Sequence, residues 1–190
     1  MIYLVTKVKA LFKSSKYECI SVERSKEITN SMKKIRGLDT ETMGLNPHTK
    51  ALLTVQIGTK ENQVVIDCTT INIWEYKDIL EDSTILYILA NAKFDTQFFF
   101  KHNIILSKVW DVMLAEKIRY LGYPKGSFHA DLKTLEYKYL NKYMDKTVRG
   151  KITKVGLTEE VIVYAANDVV DLEDLMNAQI KALEKEDLVK

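Results

Sequence analysis

The sequence predicts a mixed α/β domain, a sheet of antiparallel hairpins and parallel strands flanked by helices. Three observations carry that expectation. Short apolar runs fill the first half, namely Ile35 to Glu41, Leu52 to Thr59, and Val64 to Asp67 behind the turn Glu61-Asn-Gln63. A fully apolar run, Ile85-Leu-Tyr-Ile-Leu89, is followed closely by a helical stretch, the pattern of a parallel crossover unit. The second half places apolar residues at helical spacing behind residues that cap helices. Strand hairpins, then a strand-helix unit, then helices describe one mixed sheet covered by helices.

Each element has its own local reason. Met1-Ile-Tyr-Leu-Val-Thr-Lys7 reads as a first strand, and it is too short an apolar run for a signal peptide. Ser25 is expected to cap a helix running to about Lys34, with Ile28 and Met32 inward. Helices are expected over Ile73 to Leu80, Lys93 to Lys101 and Val112 to Tyr120. Asp131 can cap another, with Leu132, Leu135, Tyr139 and Leu140 on its apolar side. Thr158 can open a last long helix whose stripe is Ile162, Ala165, Ala166, Val169, Leu172 and Met176. Residues 1–183 are expected to form a single domain, and 184–190 a loose tail.

Composition bounds the function. A chain of 190 residues fits one domain with a full-sized core. Its hydrophobic share of 46% is spread over short runs, so no membrane span is expected. Cys19 and Cys68 are too few and too isolated for a disulfide framework or a zinc site, which points to thiols in a reducing cytoplasm. The net charge of +2 gives no strong vote for nucleic acid. Between Lys138 and Lys154, however, basic residues alternate with Tyr139 and Tyr143. That mixture suits either a strand-binding channel or a solvated helix followed by a basic loop.

The chemistry lies in three separated segments. Asp39 and Glu41 stand two apart on a predicted strand, so both side chains leave the same face. Asp95 follows the apolar strand by a few residues, at a helix start, where α/β sheets place ligand sites. Tyr164 and Asp168 stand four apart on the last helix and so stack on one side. Carboxylates without histidine or cysteine are the ligand set preferred by Mg²⁺ or Mn²⁺. Two such ions can clamp the attacking and leaving oxygens of a phosphodiester. The set therefore reads as a nuclease.

On these residues the chain resembles the DnaQ-like 3′–5′ exonucleases of the DEDDy type. It is most similar to the proofreading domain of family A DNA polymerases, with ribonuclease D as a cousin. Trp110-Asp-Val-Met-Leu-Ala-Glu116 and His129-Ala-Asp-Leu-Lys-Thr-Leu135 continue the likeness. The resemblance implies a ribonuclease-H-like fold and two divalent cations, Mg²⁺ or Mn²⁺, on Asp39, Glu41, Asp95 and Asp168. It implies that Tyr164 orients the attacking water, in the slot where a sister class carries histidine. Leu45 matches a leucine that wedges against the terminal base, and Asn91 an asparagine near the substrate. Thr40, Phe94 and His129 complete the expected substrate-contact set, although Phe94 also suits the core. Asn167 departs from the acidic residue common in the polymerase domains.

The expected activity is release of nucleoside 5′-monophosphates from a single-stranded DNA 3′ end, in a free-standing enzyme or one segment of a larger protein. A polymerase acting in trans is the expected protein partner. RNA trimming of the ribonuclease D kind is the alternative substrate reading. A catalytically silent binding domain is the other class, and such a domain would be expected to have lost a ligand.

Overall fold

The computed structural model describes residues 1–123, 130–143 and 152–188. Its centre is a seven-stranded sheet in the order β2-β1-β5-β4-β3-β6-β7. The strands are β1 (Ile2–Val5), β2 (Glu18–Cys19), β3 (Ile35–Thr42), β4 (Leu52–Gly58), β5 (Gln63–Asp67), β6 (Leu86–Leu89) and β7 (Val109–Asp111). β3, β4 and β5 form antiparallel pairs, whereas β6 joins β3 in parallel and β7 joins β6 in parallel. The mixed sheet flanked by helices is the ribonuclease-H-like architecture expected from the sequence.

The helices are α1 (Val22–Ser31), α2 (Lys77–Leu80), α3 (Ala92–Lys101), α4 (Val112–Arg119), α5 (Leu132–Leu140), α6 (Ile152–Val155), α7 (Glu159–Asn167) and α8 (Leu172–Lys185). α1, α2 and α3 contribute Ile28, Ile79, Leu80, Phe98 and Phe99 to one core, which also takes Leu38, Val55, Ile57 and Ile66 from the sheet. The opposite face is covered in two halves. α7 packs over β1, β4 and β5, and α8 over β3 and β6.

Several expectations change. Ser21, not Ser25, caps α1, accepting from the Arg24 N–H. Ser25 lies on the inner side, where its hydroxyl bonds the buried Tyr76 hydroxyl at 2.5 Å. Ile73 to Leu80 is a 3₁₀ turn over Ile73–Tyr76 followed by the short α2. The long last helix is interrupted between Asn167 and Leu172. The short strands β2 and β7 had no signal of their own, because each is defined by its parallel neighbour. α8 runs to Lys185, and the Glu186 carboxylate beyond it pairs with Arg119.

The interruption between α7 and α8 has a steric basis. Gly37 and Gly58 face each other across β3 and β4. A Cβ on Gly58 would meet Val169 Cγ2 at 2.7 Å, and one on Gly37 would meet Val169 Cβ at 2.9 Å, with the Val169 carbonyl closer still. The two glycines make a notch in which Val169 seats, and the chain can cross the sheet there only because side chains are missing. Asp168, the preceding residue, is thereby delivered to β3. No helix among the described residues is long and apolar enough to cross a membrane.

Candidate active site

Asp39, Glu41 and Asp168 each offer a carboxylate oxygen, and the three atoms lie within 4.8 Å of one another. They line a cleft of about 410 Å³ together with Thr40, Leu45, Asn91, Phe94, Asp95, Asp131 and Tyr164. A second hollow of about 380 Å³ shares Tyr164 and Asp168 and is also lined by Lys142 and Tyr143. The three sequence segments therefore converge on one place.

The electrostatics of the site are those of crowded anions. Asp39 opens partly onto the cleft yet lies deep within the protein. Burial, then the nearby Asp95, Asp168 and Glu41, push its carboxyl well above the usual carboxylate range. Asp95 is 2% exposed, and burial raises it to about 7 against the opposing hydrogen bond from Thr40. A trio of close carboxylates without histidine or cysteine fits a hard divalent cation, which would relieve this repulsion.

The structure assigns the flanking residues distinct places. Thr40 is buried, and its hydroxyl donates to Asp95 Oδ1 at 2.5 Å, so its side chain fixes that carboxylate. Leu45 is 83% exposed on the cleft rim. Asn91 adopts the left-handed conformation at φ 69° just before α3, a state asparagine tolerates. Phe94 is half-buried with its ring 5.2 Å from Phe98, and it borders both the core and the cleft. His129 lies outside the described residues.

Two features were not singled out from the sequence. Asp111 accepts hydrogen bonds from the N–H groups of Asn91, Ala92, Met113 and Leu114 at 2.9–3.1 Å. One carboxylate thus ties the starts of α3 and α4 together and sets the position of the helix that carries Asp95. An Asp immediately before the apolar Val112-Met-Leu114 run is a capping signal that could have shown half of this role. The other is the use made of the basic stretch. Lys138 pairs with the buried Glu116 at 2.5 Å, Tyr139 donates its hydroxyl to Glu116 at 2.6 Å, and Lys142 pairs with Asp171 at 2.5 Å. These described lysines are engaged within the protein, while residues 144–151 of the stretch lie outside the described residues.

Fold and site together define a ribonuclease-H-like nuclease built on a carboxylate cluster. The profile of the 3′–5′ exonuclease family matches residues 19–183, and the chain belongs to that family. It is 32% identical over 140 residues to DNA polymerase I of Aquifex aeolicus (strain VF5), a match covering 73% of this chain and 22% of the polymerase. The matched segment is thus a small part of that relative. Among solved structures it is similar to Brucella melitensis NrnC bound to pGG, with TM-score 0.75 and 21% identity, covering 99% of this chain and 84% of that one. It is also similar to Escherichia coli RNase D, an exoribonuclease involved in structured RNA processing, with TM-score 0.74 and 20% identity, covering 100% and 47%. At these identities the structural likeness speaks to the fold.

Proposed function

We propose that this exonuclease is metal-dependent and removes nucleotides one at a time from the 3′ end of single-stranded DNA, releasing nucleoside 5′-monophosphates. The observation that carries the reading is the convergence of Asp39, Glu41 and Asp168 within 4.8 Å in a cleft that also holds Tyr164 and Asp95. Asp39, Glu41 and Asp168 would hold one cation, and Asp39 and Asp95 would serve a second. Bound Mg²⁺ or Mn²⁺ would stabilise charge developing on the phosphodiester and favour ionisation of the attacking water. The chain's own residues do the positioning. The Tyr164 phenol orients the water beside Asp168. Leu45 on the rim lies against the terminal base, and Asn91 lies beside the strand. Contacts of this kind give little sequence preference.

DNA as substrate is supported by the similarity to DNA polymerase I, and a role in proofreading would follow from it. RNA is supported as the second reading by the likeness to RNase D and to NrnC bound to pGG. The test is a 5′-labelled single strand of each kind with Mn²⁺, with 3′-blocked and circular controls. A ladder from the linear strand and resistance of the blocked one are expected, with DNA degraded faster. Equal cutting of the circle would overturn the exonuclease polarity, and preference for RNA would transfer the assignment to the second reading.

A further inference from the structure

β4 is buried on both faces, and the face under α7 mixes apolar Leu53, packed on Val161, with buried polar side chains. Val55 and Ile57 join the core beneath α1 and α2. The alternate set, Thr54, Gln56 and Gly58, turns to the face covered by α7. Gln56 is 0% exposed. Its Nε2 donates to Thr54 Oγ1 at 2.5 Å, and its Oε1 has no hydrogen-bond partner among the described residues. Burying an amide oxygen without a partner is unfavourable, and a methionine of similar length would avoid that cost. Packing alone therefore does not explain a glutamine at this position.

The ladder register suggests what does. Gln56 stands directly opposite Asp39, and Thr54 directly opposite Glu41. Directly opposed residues bring their Cβ atoms to about 4.5–5.5 Å on the same face. The two strand-borne carboxylates thus have the buried polar pair of β4, Thr54 and Gln56, as neighbours. Asp95 already has its holder, the Thr40 hydroxyl.

We infer that Gln56 is a positioning residue for Asp39, its amide tethered by Thr54 to form the polar floor that fixes the carboxylate when a cation is held. This rests on the metal-site reading above. A primary amide has a donor end and an acceptor end, and the Thr54 hydroxyl can serve either one. The amide can therefore turn its N–H end toward an ionised Asp39 while Thr54 keeps the other end. Groups that orient metal-ligating side chains typically affect metal affinity 10–100-fold.

The test measures Mn²⁺ binding, by the loss of the free-ion electron paramagnetic resonance signal, beside urea unfolding of the metal-free protein. Gln56→Met should keep or raise the metal-free unfolding midpoint while weakening Mn²⁺ binding about 10-fold. Thr54→Val should weaken binding in the same direction, and Thr54→Ser should restore it. Unchanged Mn²⁺ affinity in Gln56→Met and Thr54→Val would overturn the inference. So would an affinity loss that merely follows a loss of metal-free stability. Failure of the unmodified protein to bind Mn²⁺ would instead overturn the metal-site reading itself.

Discussion

Substituting alanine at Gly37 tests how Asp168 reaches the strand that carries Asp39. The new methyl would enter the space of Val169, meeting its Cβ at 2.9 Å and its carbonyl more closely. Because the obstacle includes backbone, the turn between α7 and α8 has to lift off β3, by on the order of 0.5–1 Å to regain ordinary contact. Asp168 is the adjacent residue, so its carboxylate moves with the turn. Displacements of about 1 Å at a reacting centre can cost on the order of 10²-fold. Loss of stability from overpacking should be about 1–3 kcal/mol. Gly58→Ala meets a side-chain atom most closely, Val169 Cγ2 at 2.7 Å, with the Asn62 carbonyl next at 3.1 Å. Val169→Ala should therefore rescue most of the loss in Gly58→Ala but none of that in Gly37→Ala. The assay is single-turnover digestion of a labelled strand, with urea unfolding as the companion measurement. Full activity in Gly37→Ala, or equal rescue of both variants, would refute the notch as the device that delivers Asp168.

Other perturbations follow from the same structure. Asp39→Asn should abolish digestion yet raise the melting temperature of the metal-free protein, because it removes a carboxyl whose ionisation the buried acidic cluster disfavours; a lower melting temperature without metal would contradict the electrostatic account. Asp111→Ala should destabilise by about 2 kcal/mol, more than a single lost cap, since four N–H groups at two helix starts lose their acceptor; denaturant midpoints measure it. Tyr164→Phe should slow digestion at saturating Mn²⁺ without altering Mn²⁺ affinity, since every carboxylate stays in place, and weakened metal binding would argue against a role confined to the water. Excess EDTA should stop digestion and Ca²⁺ should fail to restore it, because its larger, looser shell does not support the same geometry.

Much of the site was legible in the chain because its signals are local. Two residues along a strand share a face, so Asp39 and Glu41 could be paired from spacing alone. Four residues along a helix do the same for Tyr164 and Asp168, and their spacing survives although the helix ends at Asn167. Asp131 and Thr158 cap their helices as expected, accepting from the N–H groups of Thr134 and Val161. The carboxylate-only makeup of the three segments matched the ligand set that hard divalent cations prefer.

Tertiary structure decided whatever depended on distant neighbours. Ser21 and Ser25 are equally good caps by residue type, and the choice fell to Ser21 because Ser25 is buried against Tyr76. β7 exists because β6 runs beside it, and a three-residue strand leaves no period to read. The break after α7 follows from two glycines more than a hundred residues earlier, which no local pattern links to Val169. Gln56 looks like any polar residue in a strand until the register sets it opposite Asp39. Spacing along one element is recorded in sequence, but the meeting of carboxylates from separate elements is fixed only when strands pair and helices pack.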